Sequence, residues 1–140
     1  MISELDPNLS VEVQLHAILD DYLAGLDKTV KKVTKKHART LRETIMNDSP
    51  IDTTSGGKVE HGVYKNGWRV STTESLYYID CTVRQYRRPS LTWLLENGHL
   101  LQDGTMTKPQ PHIEDNGEAE GDRWLEELYN IGFIDMEFNL

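Results

Sequence analysis

The chain has 140 residues, 37% of them apolar, a formal net charge of −8 and a single cysteine, Cys81; its mean hydropathy is −0.58. This is the size of one domain with a modest core. It excludes an internal disulfide or a multi-cysteine zinc site, and no apolar run approaches the roughly 20 residues of a membrane span.

The first residues, Met1-Ile2-Ser3-Glu4-Leu5-Asp6, lack the basic and apolar regions of a signal peptide, so an intracellular protein is expected. Residues 1–9 contain Pro7 and little periodicity, and read as a loose arm. From Ser10 to Asn47, apolar residues at Leu15, Ile18, Leu19, Tyr22, Leu23, Leu26, Val30, Val33, Leu41 and Ile45 recur in steps of three and four. That spacing predicts one long amphipathic helix with Ser10 as N-cap. Ser49-Pro50 stops it, because proline disfavours helix in the residue before it. A helix this long suits a subunit that packs on a neighbour.

Between Lys28 and Arg42, in the second half of that helix, fall seven basic residues and no acid: Lys28, Lys31, Lys32, Lys35, Lys36, Arg39 and Arg42. The remainder carries 8 basic residues against 23 acidic ones. These cations have two readings, a face turned towards DNA phosphates or one turned towards solvent or another subunit. No aromatic residue lies between Lys28 and Arg42 to stack a base, and this favours the second.

Asp52 to Gly57 reads as a loop, and Val59 to Tyr64 as a weak strand. Lys65-Asn66-Gly67 has the composition of a hairpin turn. Trp68 to Thr72 and Leu76 to Tyr86 predict two strands, with Arg84, Arg87 and Arg88 at the end of the second. Ser90 to Gly98 predicts a short helix capped by Ser90 and stopped by Gly98. Asp103-Gly104 would fold His99–Gln102 onto Thr105–Lys108. Asp115 with Glu118 has capping-box spacing and opens a last helix to Ile131, with Trp124, Leu125, Leu128 and Ile131 as its core stripe and Gly132 as its end. Nine acids lie between Glu114 and Glu137, with Arg123 the only lysine or arginine among them. Opposed charge of this kind suits docking between like subunits. Residues 133–140 form an apolar-acidic tail, suited to an edge strand or to a partner.

Chemistry-bearing motifs are sparse. Glu96, His99 and His112 offer a two-histidine, one-carboxylate set of the kind that holds iron or zinc. The alternative is that they hydrogen-bond backbone at tight turns, and their positions at element ends favour it. Cys81 sits inside an apolar strand pattern, where cysteine acts as a small hydrophobe. Neither a nucleophile elbow nor a phosphate-binding glycine loop is present, so no catalytic constellation is expected.

The order of these features resembles the HK-97-like tail-component family of tailed bacteriophages. The matching pieces span residues 12–131. They are the long helix ending at Ser49-Pro50, Asp52-Thr53-Thr54-Ser55-Gly56, and Gly67-Trp68-Arg69-Val70, followed by Leu94-Leu95-Glu96-Asn97-Gly98-His99 with Pro109-Gln110-Pro111-His112-Ile113. Trp68, Leu95, Glu96, Gly98, His99, Pro111 and His112 carry the pattern. Glu114-Asp115-Asn116 stands where the family usually has a proline and a small residue, and Ser55-Gly56-Gly57 blurs the loop match.

The resemblance implies an α+β subunit, with the two long helices packed on a small antiparallel sheet and a short helix and hairpin between. One domain over residues 10–132 is expected. It further implies a non-enzymatic virion protein of the neck or tail end, a tail-completion subunit without cofactors that forms a ring of six at the head–tail junction and is assembled in the host cytoplasm. Its neighbours would be a head connector or stopper and a tail terminator or tail-tube protein, with non-specific contact to DNA in the channel and none to a membrane. A tail terminator or head-side connector is the alternative position in the particle.

Overall fold

The structure, a computed structural model, describes residues 6–51, 62–76 and 78–138, with side chains in the last helix as far as Ile131. Its elements are α1 (Val11–Asp48), β1 (Trp68–Glu74), β2 (Ile79–Gln85), α2 (Leu91–Asn97) and α3 (Glu114–Phe138). Two long helices, one short helix and a two-stranded antiparallel sheet make the α+β class expected from the sequence. The predicted loop Asp52–Gly57 lies outside the described residues.

The chain divides into two compact units, Met1–Lys32 and Val33–Leu140. In the first, Ser10 caps α1: its hydroxyl accepts the Val13 N–H at 3.3 Å. Of the expected arm over residues 1–9, residues 1–5 lie outside the described residues, and residues 6–9 form a turn. The Gln14 side chain holds it, donating to the carbonyls of Asp6 and Leu9 and accepting from the Asp6 N–H.

In the second unit the core is small. Ile45, Tyr64 and Trp68 are its buried centre, packed against Leu41, Met46, Val83, Leu91, Leu95 and Ile113. Trp68 pairs with Gln85 at one end of the hairpin and Glu74 with Ile79 at the other. Trp68, Val70, Val83 and Gln85 face inward, while Arg69 and Arg84 are exposed on the other side.

Several boundaries differ from expectation, each for a local reason. Val59–His61 of the weak strand lies outside the described residues, and Gly62–Tyr64 is a turn. The positive φ in this segment belongs to Gly62, at 75°, rather than to Gly67. Lys65–Gly67 is therefore a 3₁₀ turn leading into β1 instead of a hairpin connection. The second strand begins at Ile79, and Leu76 sits 76% exposed in the connection.

Ser90 is itself helical in φ and ψ and makes no capping bond; the Thr92 hydroxyl and N–H donate to the Pro89 carbonyl instead. Gly98 does stop α2, at φ 78°. The 99–108 hairpin closes around Gly104 with one bridge, Leu100 to Met106. Finally, α3 runs through Gly132 to Phe138, taking in most of the predicted tail. A mid-helix glycine costs about 1 kcal/mol and does not by itself end a helix. Leu125, placed in the core stripe by its spacing, is 57% exposed.

Candidate functional site

The sequence-predicted motif residues converge on one corner where α2, the 99–108 hairpin and the start of α3 meet. Glu96, on the last turn of α2, reaches across to the first turn of α3. Its carboxylate accepts the backbone N–H groups of His112 at 2.8 Å, Ile113 at 3.1 Å and Glu114 at 2.9 Å. A helix start leaves such donors unpaired, and a side chain normally caps them from the adjacent sequence. Here the cap comes from 16–18 residues upstream, and the predicted capping residue Asp115 lies inside the helix. Burial pushes the Glu96 carboxyl up, but the three N–H bonds, helped by His112, outweigh it and hold the group below its ordinary value.

His112 is 1% exposed. Its Nδ1 donates to the Gln110 carbonyl at 2.7 Å and lies 3.2 Å from Glu96 Oε2, and its Nε2 accepts the Tyr64 hydroxyl at 2.7 Å. Burial, with Glu96's charge second, raises the Tyr64 phenol above its ordinary value, so it remains a neutral donor. Tyr64, Trp68 and His112 stack edge-to-face in a triangle with centroids 5.5–6.0 Å apart. The Trp68 indole N–H donates to Ser49 Oγ at 2.9 Å, and Ser49 donates to the Ile45 carbonyl. The Ser49-Pro50 helix stop is thereby tied to the same corner.

The other motif residues hold this corner closed. A Cβ on Gly98 would meet the Thr107 carbonyl at 2.6 Å, so both its φ and the close approach require glycine. Leu95 packs on the core, and its carbonyl accepts the Gln110 N–H. Pro111 is exposed and shapes the segment before His112. His99 differs from His112: its ring meets the Thr107 hydroxyl at 3.2 Å rather than backbone.

Both His112 nitrogens and both Glu96 oxygens are engaged within the protein, which leaves them no free lone pair for a metal. Among the described residues no cluster of His, Cys, Asp or Glu is arranged to hold one.

A second polar cluster joins α1 to α3. His37 contacts Glu120 through Nδ1 and Glu127 through Nε2, and Lys36 also binds Glu127. Burial raises the Glu120 carboxyl, yet its bonds from Arg123 and His37 bring it below the ordinary value. Glu127 is lowered by Lys36 first and His37 second. A cleft of about 300 Å³ lies beside this cluster, lined among others by Thr34, Cys81, Gly121 and Trp124. Of the acid–base groups on its wall, His37 and Glu120 are bound to each other, and Asp80 accepts the Thr82 hydroxyl.

The basic stretch is thus divided. Lys36 meets Glu127, Lys35 meets Glu74, and Lys31 meets Asp27. Arg42 donates through Nε to the Trp68 carbonyl. Lys28, Lys32 and Arg39 are exposed with no carboxylate partner among the described residues. Part of the charge opposition read as intersubunit is therefore internal.

Sequence reasoning missed Tyr64, Gln85, His37 and Glu120. Gln85 is buried, donates to the Tyr64 carbonyl at 2.7 Å and accepts the Arg87 and Arg88 N–H groups. His37 had a signal. The apolar stripe steps from Val33 to Leu41, and His37 occupies the omitted position between them. Comparison of the chain with protein-family models, curated proteins and solved structures returned no match.

Proposed function

We propose that this chain is a structural subunit of a tailed bacteriophage particle, a neck or tail-completion protein that assembles into a ring at the head–tail junction. The observation that carries the assembly reading is an apolar face of α1 in the first unit. Val11, Leu15, Ile18, Leu19 and Leu23 are large aliphatic residues 44–63% exposed. Single exposed leucines are ordinary, but five along one helix segment make a contiguous apolar surface of the kind that marks a protein interface. The occupant we assign is a neighbouring subunit of the ring.

Two further points support the reading. The corner built by Glu96, Gly98 and His112 satisfies its own polar groups, as architecture requires, and presents no reactive group. The phage assignment itself rests on the resemblance of the Leu94–His99 and Pro109–Ile113 segments. The ring would sit between a head connector or stopper and a tail terminator or tail tube, with Lys28, Lys32 and Arg39 facing channel DNA or the next subunit.

The test has two arms. Light scattering and negative-stain microscopy of the purified full chain should show a ring, and particles made without the protein should have unjoined or unfinished tails. A strict monomer together with normal joining in its absence refutes the proposal. Overlong tails in its absence would move the subunit to the tail-terminator position, and heads that leak DNA would move it to the head side.

A further inference from the structure

Once α1 and α3 have used charge on each other, two like-charged arrays remain in the second unit. Arg69 and Arg84 stand directly opposite across the β1–β2 pair, both exposed, and Arg87 follows just past the end of β2. Like charges directly opposite on a sheet repel. None of the three has a carboxylate partner among the described residues. On α3, Glu118, Asp122 and Glu126 recur every fourth residue and are all exposed. Like charges at that helical spacing also repel. The basic residue beside them, Arg123, is bound to Glu120.

Each array works against the fold of the isolated chain, and each is relieved by the other's charge. We infer that the Arg69–Arg84–Arg87 surface of one copy receives the Glu118–Asp122–Glu126 stripe of a second copy. The inference rests on the ring reading above and names a contact within it. Two different surfaces can meet head-to-tail, the type of contact that closes into rings. Guanidinium groups suit it, because each presents a planar fork of donors to a carboxylate. A phosphate backbone would also suit arginines, but a chain of net charge −8 with its own carboxylate stripe favours a copy.

The experiment is sedimentation velocity on the full-length chain at low and high salt, with circular dichroism to confirm folding. Arg69→Glu with Arg84→Glu, and separately Asp122→Lys with Glu126→Lys, should each weaken association by at least about tenfold at low salt. A chain carrying all four changes should recover to within about threefold of the parent. High salt should weaken the parent and abolish the difference. Unchanged association in either pair, or no recovery in the fourfold variant, overturns the inference. If parent rings form and ignore both reversals, this contact is wrong and the ring reading stands; a parent that never associates removes both. Loss of DNA retention in Arg69→Glu/Arg84→Glu, with self-association intact, overturns it in favour of a nucleic-acid surface.

Discussion

Glu96→Ala removes three hydrogen bonds at once without touching the apolar core. The carboxylate accepts from His112, Ile113 and Glu114, and the donors differ in what they can do afterwards. The Glu114 N–H, at an exposed residue, can turn to water and loses only about 0.5 kcal/mol. The other two belong to a buried and a half-buried residue, where an unmet donor costs about 1–1.5 kcal/mol each. The total is about 3 kcal/mol, or a fall of roughly 10 °C in melting temperature for a domain of this size. Glu96→Gln keeps one acceptor oxygen and loses the charge, and about half that loss is expected. Calorimetry and urea titration measure both variants, and amide exchange locates the damage, which should appear first at residues 112–117. An alanine variant within about 0.5 kcal/mol of the parent would refute the claim that a distant carboxylate caps α3.

Further outcomes follow from the same geometry. Gly98→Ala forces a Cβ to 2.6 Å from the Thr107 carbonyl at φ 78° and should cost about 2–3 kcal/mol by urea titration. Gly121→Ala meets nothing within 4 Å and should stabilise the chain by up to about 1 kcal/mol; a loss by urea titration would refute this. Glu96 and Glu120 are held below 4.5 when folded, so the stability they supply is complete above that value and lost as pH falls through their folded values. Tyr64 is raised above 10.0, so its contribution is complete below that pH and is lost as pH rises through the folded value. Melting temperatures across pH should therefore decline on both sides of this plateau, and the acid decline should shrink in Glu96→Gln.

Sequence reached the helices and the sheet because their signals are periodic. The stripe from Leu15 to Ile45 and the alternation after Trp68 each mark a single apolar face, which in α1 is buried at Val33 and Ile45 and exposed from Leu15 to Leu23. It also placed Gly98 correctly, since a helix-ending glycine needs only local conformation. It misassigned the start of α3 because Asp115 and Glu118 have the spacing of a local cap, whereas the carboxylate that serves those donors stands on another helix. Spacing along the chain carries no record of that contact. Gly132 misled for the opposite reason: a glycine lowers helix propensity, but the residues after it continue the helix. Tyr64 lay hidden beside Lys65-Asn66-Gly67, whose hairpin composition turned out to serve a 3₁₀ turn.

The two histidine clusters separate what holds this chain together from what is left over for neighbours. His112 is closed on every side by Tyr64, Gln110 and Glu96, and His37 by Glu120 and Glu127. Each ring is spent on joining elements distant in sequence, so neither retains a nitrogen for substrate or metal. Among the charges that remain, Arg69 and Arg84 stand together on the hairpin, and Glu118, Asp122 and Glu126 together on α3. In the first unit, large exposed aliphatic residues line α1 between Val11 and Leu23. A chain that completes its interior and leaves three distinct surfaces unsatisfied has the physical requirements of a building block. In the proposed ring, affinity between neighbours would depend on salt through the charged pair and on buried area through the helix. The two contributions can be titrated independently in one assembly assay.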